Sequence, residues 1–96
     1  MTPAELKAIF PLELRMTELC KTFPCARDKP WADPWNVELL LKWLDGPEPT
    51  HGSEAVARFI LYVWNAYHGW NLDRLKYMDD ASLAAWQAWA ADPWWA

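Results

Sequence analysis

The side chains of this chain best suited to hold a metal ion are two cysteines, Cys20 and Cys25, and two histidines, His51 and His68. A tetrahedral zinc site draws its ligands in pairs at short intervals, so that two donors reach one ion from one turn of chain. Here a C-x4-C spacing is followed by two histidines far from the thiols and from each other, and no metal is expected. Cys20 also falls on an apolar helical face, where a free thiol behaves as a small hydrophobe. Nucleophilic chemistry is no better served. The chain has two serines, Ser53 and Ser82, both where helices start, and it has neither a glycine-rich phosphate loop nor a G-x-S-x-G elbow. His51-Gly52-Ser53 offers backbone N–H groups to an anion only as any helix start does. His68 suits the C-terminal end of a helix dipole, and the adjacent acids Asp79 and Asp80 suit a cap. The residues read as those of a non-enzymatic protein with no cofactor.

The unusual feature is tryptophan, nine in 96 residues. An indole buries on the order of 200 Å², yet its N–H wants a partner, so a small domain cannot easily hide nine of them. Trp43, Trp64 and Trp86 fall on inner helical faces and are assigned to the core. Trp31 in a loop, Trp89 on a helix flank, and Trp94 and Trp95 in the tail are the candidates for an exposed aromatic surface. Tryptophan anchors hot spots in desolvated protein interfaces, so these four are the expected partner-binding residues. Two other readings compete: the Trp94–Trp95 tail folds back as a plug between helices, or the rings stack on a sugar or base beside Asn71, Asp73 or Gln87.

The element that must position these rings is a central helix over residues 53–68. Val56, Phe59, Ile60, Val63, Trp64 and Tyr67 recur at helical spacing. Ala57, Leu61, Tyr62 and Ala66 widen that face until only a strip with Glu54, Arg58 and Asn65 stays polar. Ser53 is placed to cap its start, Glu54 and Arg58 to pair four residues apart, and Gly69 to stop it. Before it, Thr2, Pro3 and Glu5 predict a short helix through Ile9. Residues 11–23 fit a helical face through Leu12, Met16, Leu19, Cys20 and Phe23, because the alternating strand pattern of Leu12, Leu14 and Met16 fails after Met16 and leaves a strand without a partner. Residues 24–33 read as a charged loop broken by proline. Asp33 and Pro34 then open a helix whose inner face carries Trp35, Leu39, Leu40, Trp43 and Leu44, ended by Gly46–Pro47. Asn71 caps a short segment with Leu72 and Leu75 inward. Asp79 or Asp80 caps a last helix ending at Ala91, with Leu83, Trp86 and Ala90 inward. The expected fold is all-α, a small single-domain bundle of about five helices spanning residues 1–96.

Composition fits that reading. With 53% hydrophobic and 23% charged residues the chain belongs with globular domains, and its length suffices for a core without disulfide staples. The net charge of −4 comes from 13 acids and 9 bases mixed along the sequence. No basic patch supports nucleic-acid binding. The longest apolar stretch, near residues 55–67, is interrupted by Arg58 and too short to span a bilayer, and MTPAELKAIFPLEL lacks a basic leader. A cytoplasmic acidic protein without nucleic-acid or membrane partners is expected. The repeated ADPW, at Ala32–Trp35 and Ala91–Trp94, is read as two uses of Asp-Pro at helix boundaries rather than a duplication.

The segments ARFILYVWN (57–65) and AAWQAWAADPWWA (84–96) resemble a group of short uncharacterised proteins of bacteria and their prophages that share a VWN segment and a C-terminal PWW. The likeness covers roughly the last 40 residues. It implies a mobile-element context, in which small acidic proteins often inhibit by binding another protein, as anti-CRISPR inhibitors of host defence do. The expected function is therefore protein–protein interaction, with homo-oligomerisation through the same rings as one form of it. The alternative is a helical module that binds a small ligand or carbohydrate through exposed tryptophans. A pocket with several converging polar groups favours the alternative, and a surface without them favours a protein.

Overall fold

The computed structural model describes residues 11–65 and 69–96. Among these the order is helix α1 (Pro11–Lys21), α2 (Val37–Asp45), α3 (His51–Asn65), a 3-10 helix (Leu72–Tyr77) and α4 (Asp80–Ala91), with no strand among them. The all-helical expectation holds. The predicted helix through Ile9, and the last residues of the predicted central helix, lie outside the described residues. The radius of gyration, 13.0 Å, is that of a single domain of about 100 residues.

Helix α3 is the hub, packed against α1, α2 and the 3-10 helix. Ala55, Val56, Ala57, Phe59, Ile60, Leu61 and Val63 are buried along it, as its nearly all-round apolar pattern requires. On its polar strip, Arg58 pairs with Glu54 at 2.9 Å, as their i,i+4 spacing predicts. The helix begins at His51, two residues before the predicted start at Ser53. Thr50 and Ser53 exchange hydrogen bonds: the Ser53 hydroxyl accepts the Thr50 N–H at 2.8 Å, and the Thr50 hydroxyl accepts the Ser53 N–H at 3.2 Å. This is the reciprocal logic of a capping box, with a serine where Glu or Gln is usual. Thr50 is the cap.

Helix α1 buries Met16, Leu19 and Cys20, and Phe23 just beyond it, so residues 11–23 are helical through Lys21. The predicted α2 start is corrected. Asn36, extended at φ −146°, is the cap, its side-chain oxygen accepting the Leu39 N–H at 3.0 Å. Asp33 instead faces Lys21 at 3.3 Å, and the Asp33–Pro34 peptide is cis. Leu40 is buried on α2 and Trp43 and Leu44 are partly so, whereas Leu39, expected inside, is exposed.

The largest correction concerns the tryptophans. Trp31, expected on the surface, is 1% exposed and is the largest fully buried side chain. Residues 22–36 are a chain of tight turns rather than an open loop. Ala26 and Arg27 donate to the Phe23 carbonyl, Ala32 to Lys29 and Asn36 to Trp31, at 2.9–3.1 Å. Backbone groups satisfied in this way can go inside, and they carry Phe23, Ala26, Trp31 and Ala32 with them. Conversely Trp43, Trp64 and Trp86, expected in the core, are half-buried at its edge. Trp43 packs on Trp31 at 5.4 Å between ring centroids, and Trp64 on Trp35 at 5.5 Å. The indole nitrogens of Trp31, Trp35, Trp43 and Trp86 are buried without a hydrogen-bond partner among the described residues, a cost set against the large area these rings bury.

Candidate functional site

The tail decides how the aromatic surface is built. Beyond α4 the chain folds back: the Ala96 N–H donates to the Val63 carbonyl in the last turn of α3 at 2.9 Å. The Trp94 carbonyl accepts the indole N–H of Trp89 at 2.9 Å. The Arg15 guanidinium lies 4.1 Å from the centre of the Trp94 ring, a cation–π contact that ties the tail to α1. The tail is thus packed, as the plug reading expects, and Trp94 is largely covered. Trp95 stays 49% exposed.

Folding back opens a groove on the outer side of the tail. It has a volume of about 430 Å³ and is walled by Tyr62, Trp70, Leu72, Trp86, Trp89 and Trp95. Ala90 and Pro93 complete the apolar surface, and Asn71 adds an amide. Three rings meet nearly at right angles. Trp95 stands at 87° to Trp89, with centroids 5.3 Å apart, and at 84° to Tyr62, 6.1 Å apart. Behind them Phe59 in the core contacts both Trp89, at 4.9 Å, and Trp70, at 5.2 Å. The groove is therefore mounted on the central helix, and its rings are fixed by packing before anything binds.

The far wall is positioned by two caps. Asn71 accepts the Asp73 N–H at 3.1 Å and starts the 3-10 helix. Leu72, its first residue, is left 65% exposed, while Leu75 packs inward. Asp79 accepts the Ser82 N–H at 2.8 Å and starts α4. This bond, with a second from the Ser82 side chain, holds the Asp79 carboxyl below the usual carboxylate range.

Of the four predicted partner-binding residues, only Trp89 and Trp95 line this groove. Trp31 is in the core. Trp94 lies on the opposite side of the tail, in a second depression of about 360 Å³ shared with Arg15, Glu18 and Thr22, for which Trp89 is the common wall. Tyr62, Trp70, Leu72 and Trp86 were not among the predicted site residues. Trp70, directly after Gly69 and outside any strong helical pattern, carried the clearest signal. A third depression of about 380 Å³ lies between α1 and the turn at Asp33–Trp35.

Burial pushes the Cys20 thiol up to about 12, so it is not a thiolate at neutral pH. Burial also raises Cys25, partly opposed by a hydrogen bond from Ser82. No group of three or more His, Cys, Asp or Glu able to hold a metal occurs among the described residues. No helix of the described residues is long and apolar enough to cross a membrane. No family model matches the chain, and neither a curated protein nor a solved structure matches it.

Proposed function

We propose that the protein is a non-enzymatic binding module whose tryptophan groove receives a segment of a protein partner. One observation carries the reading: an apolar groove stands open at Leu72 and Trp95 without a ring of charged or polar side chains converging on it among the described residues. Large exposed aliphatic and aromatic side chains gathered in one place mark interaction surfaces. A sugar or other polar ligand needs several positioned hydrogen-bond groups. Here Asn71 supplies an amide, Tyr62 a phenol and Trp70, Trp86 and Trp95 indole N–H groups, that of Trp86 buried, while the Trp89 N–H is already donated to the Trp94 carbonyl and no charged side chain lines the groove among the described residues. The resemblance of the VWN and PWW segments to prophage proteins supports a narrower version, in which the partner is a host defence protein and binding inhibits it.

The test is position-specific cross-linking in bacterial cells that carry defence systems. A photoreactive residue replaces Leu72 in the groove or, as control, the exposed Glu38 on α2. A discrete adduct at position 72 that is absent at 38, and is lost when Trp95→Asp is added, is the expected result. Equal adducts at both positions, or an adduct indifferent to Trp95→Asp, refutes the groove as the binding surface. The inhibitor version requires, in addition, that expression restore plating of a phage the host otherwise restricts.

A further inference from the structure

We infer that the protein has a second binding site, independent of the tryptophan groove, in the depression between α1 and the Asp33–Trp35 turn, and that its ligand is a small aliphatic amine whose ammonium sits between Glu13 and Thr17. The depression has a volume of about 380 Å³ and is walled by Glu13, Leu14 and Thr17 on α1 and by Asp33, Pro34 and Trp35 on the turn. Thr17 is more than nine-tenths buried, at 7% exposure. A threonine inside a helix often turns its hydroxyl back to the carbonyl four residues earlier. The Thr17 hydroxyl makes no such bond, and no other among the described residues, yet it is not sealed from solvent as the Trp35 indole N–H is. Thr17 meets solvent at the depression, so an unused donor and acceptor faces whatever enters.

Charge then selects the ligand. Glu13 is exposed and has no ion pair among the described residues. Asp33 is held by Lys21 at 3.3 Å, in a pair whose side chains are both 55% exposed. Lys21 stands about two turns beyond Glu13, roughly 12 Å along the helix. Its ammonium serves Asp33 and leaves the Glu13 end of the depression acidic. Glu13 and Thr17, four residues apart on α1, are neighbours on one face. A carboxylate beside a hydroxyl matches the diverging N–H donors of one ammonium group. Leu14, Pro34 and Trp35 supply an apolar wall for the hydrocarbon attached to it. A divalent metal ion is not served by this set, because no three His, Cys, Asp or Glu side chains gather into a metal-holding group among the described residues.

The probe is n-butylammonium at low salt, compared with 1-butanol, which keeps the hydrocarbon and lacks the charge. The readouts are the Thr17 amide and Trp35 indole N–H resonances of the full-length protein. Butylammonium should shift both with a dissociation constant of about 1–10 mM, and bind about threefold or more tighter than butanol. Glu13→Gln should bring the two ligands level without moving the melting temperature, whereas Glu38→Gln, exposed on α2, should leave the preference intact. Thr17→Val should weaken butylammonium about threefold. Equal binding of amine and alcohol to the parent, or a preference that survives Glu13→Gln, overturns the inference, as does the absence of shifts up to about 50 mM. The same shifts produced by Mg²⁺ at equal concentration overturn it in favour of a merely acidic surface. Binding of Nα-acetyl-lysine methylamide about tenfold tighter than butylammonium overturns the free amine in favour of a lysine side chain of another protein.

Discussion

A methyl group added at Gly52 is a sharp test of how the groove is held to the central helix. Gly52 is in the first turn of α3, and a Cβ there would meet the backbone carbonyl oxygen of Tyr77, at the end of the 3-10 helix, at 2.8 Å. Two effects oppose each other. Alanine in a helix is favoured over glycine by up to about 1 kcal/mol. The overlap, roughly 0.6 Å inside ordinary van der Waals contact, cannot be relieved by a rotamer change because the obstructing atom is backbone. The 3-10 helix must move, disturbing the His51–Tyr77 ring contact at 5.2 Å. Overpacking of this kind costs about 1–3 kcal/mol, so Gly52→Ala should destabilise by a net ~1–2 kcal/mol. In a domain of this size that lowers Tm by about 5–10 °C. Melting curves read at 222 nm check the magnitude, and the Trp70 indole resonance checks that the 3-10 side of the groove has shifted. A variant as stable as the parent, or more so, would refute the close approach of these two backbones.

Three other outcomes are expected. Trp31→Ala should cost about 3–5 kcal/mol, as for a fully buried large ring, and Trp64→Ala distinctly less, since Trp64 is half-buried; urea unfolding of both reverses the order that helical spacing alone suggests. Asp79→Ala should cost about 1 kcal/mol by removing the α4 cap. Because folding lowers the Asp79 carboxyl below its ordinary 3.8, its contribution is full above that pH and is lost as the pH falls through the lower folded value; Asp79→Asn should keep most of the cap and lose that dependence. Ending the chain after Ala91 removes the hydrogen bonds made by Trp94 and Ala96 and the Arg15 contact. With the ordering of five residues set against them, the net loss is about 1–2 kcal/mol, seen as a monomer that melts lower than the full chain.

The helices were legible wherever apolar period and cap chemistry agreed. Helix α3 declared itself by its almost unbroken apolar circumference, and α4 by Asp79 at one end and Pro93 beyond the other. Starts were misplaced where two good caps stood close together: Thr50 and Ser53 at α3, Asp33 and Asn36 at α2. Local spacing does not say which of two side chains reaches an N–H. The placement of Trp31 was hidden for a different reason. Proline and charge at residues 24–33 read as surface loop, but successive turn hydrogen bonds satisfy that backbone and let the segment enter the core. The groove was half legible. Trp89 and Trp95 stood out by composition, whereas Tyr62, Trp70 and Leu72 join them only because the tail reverses onto Val63, a contact between residues 33 positions apart that no local pattern encodes.

The most direct test is to charge the groove without disturbing the core. Leu72 is 65% exposed, so Leu72→Asp should leave Tm within about 2 °C of the parent. If the groove is where a protein partner binds, the partner cross-linked at position 72 should co-purify with the parent and be lost with Leu72→Asp, in parallel with unchanged melting curves. Undiminished co-purification of that partner with a fully folded Leu72→Asp protein would contradict the account and move the interface off the tryptophan groove.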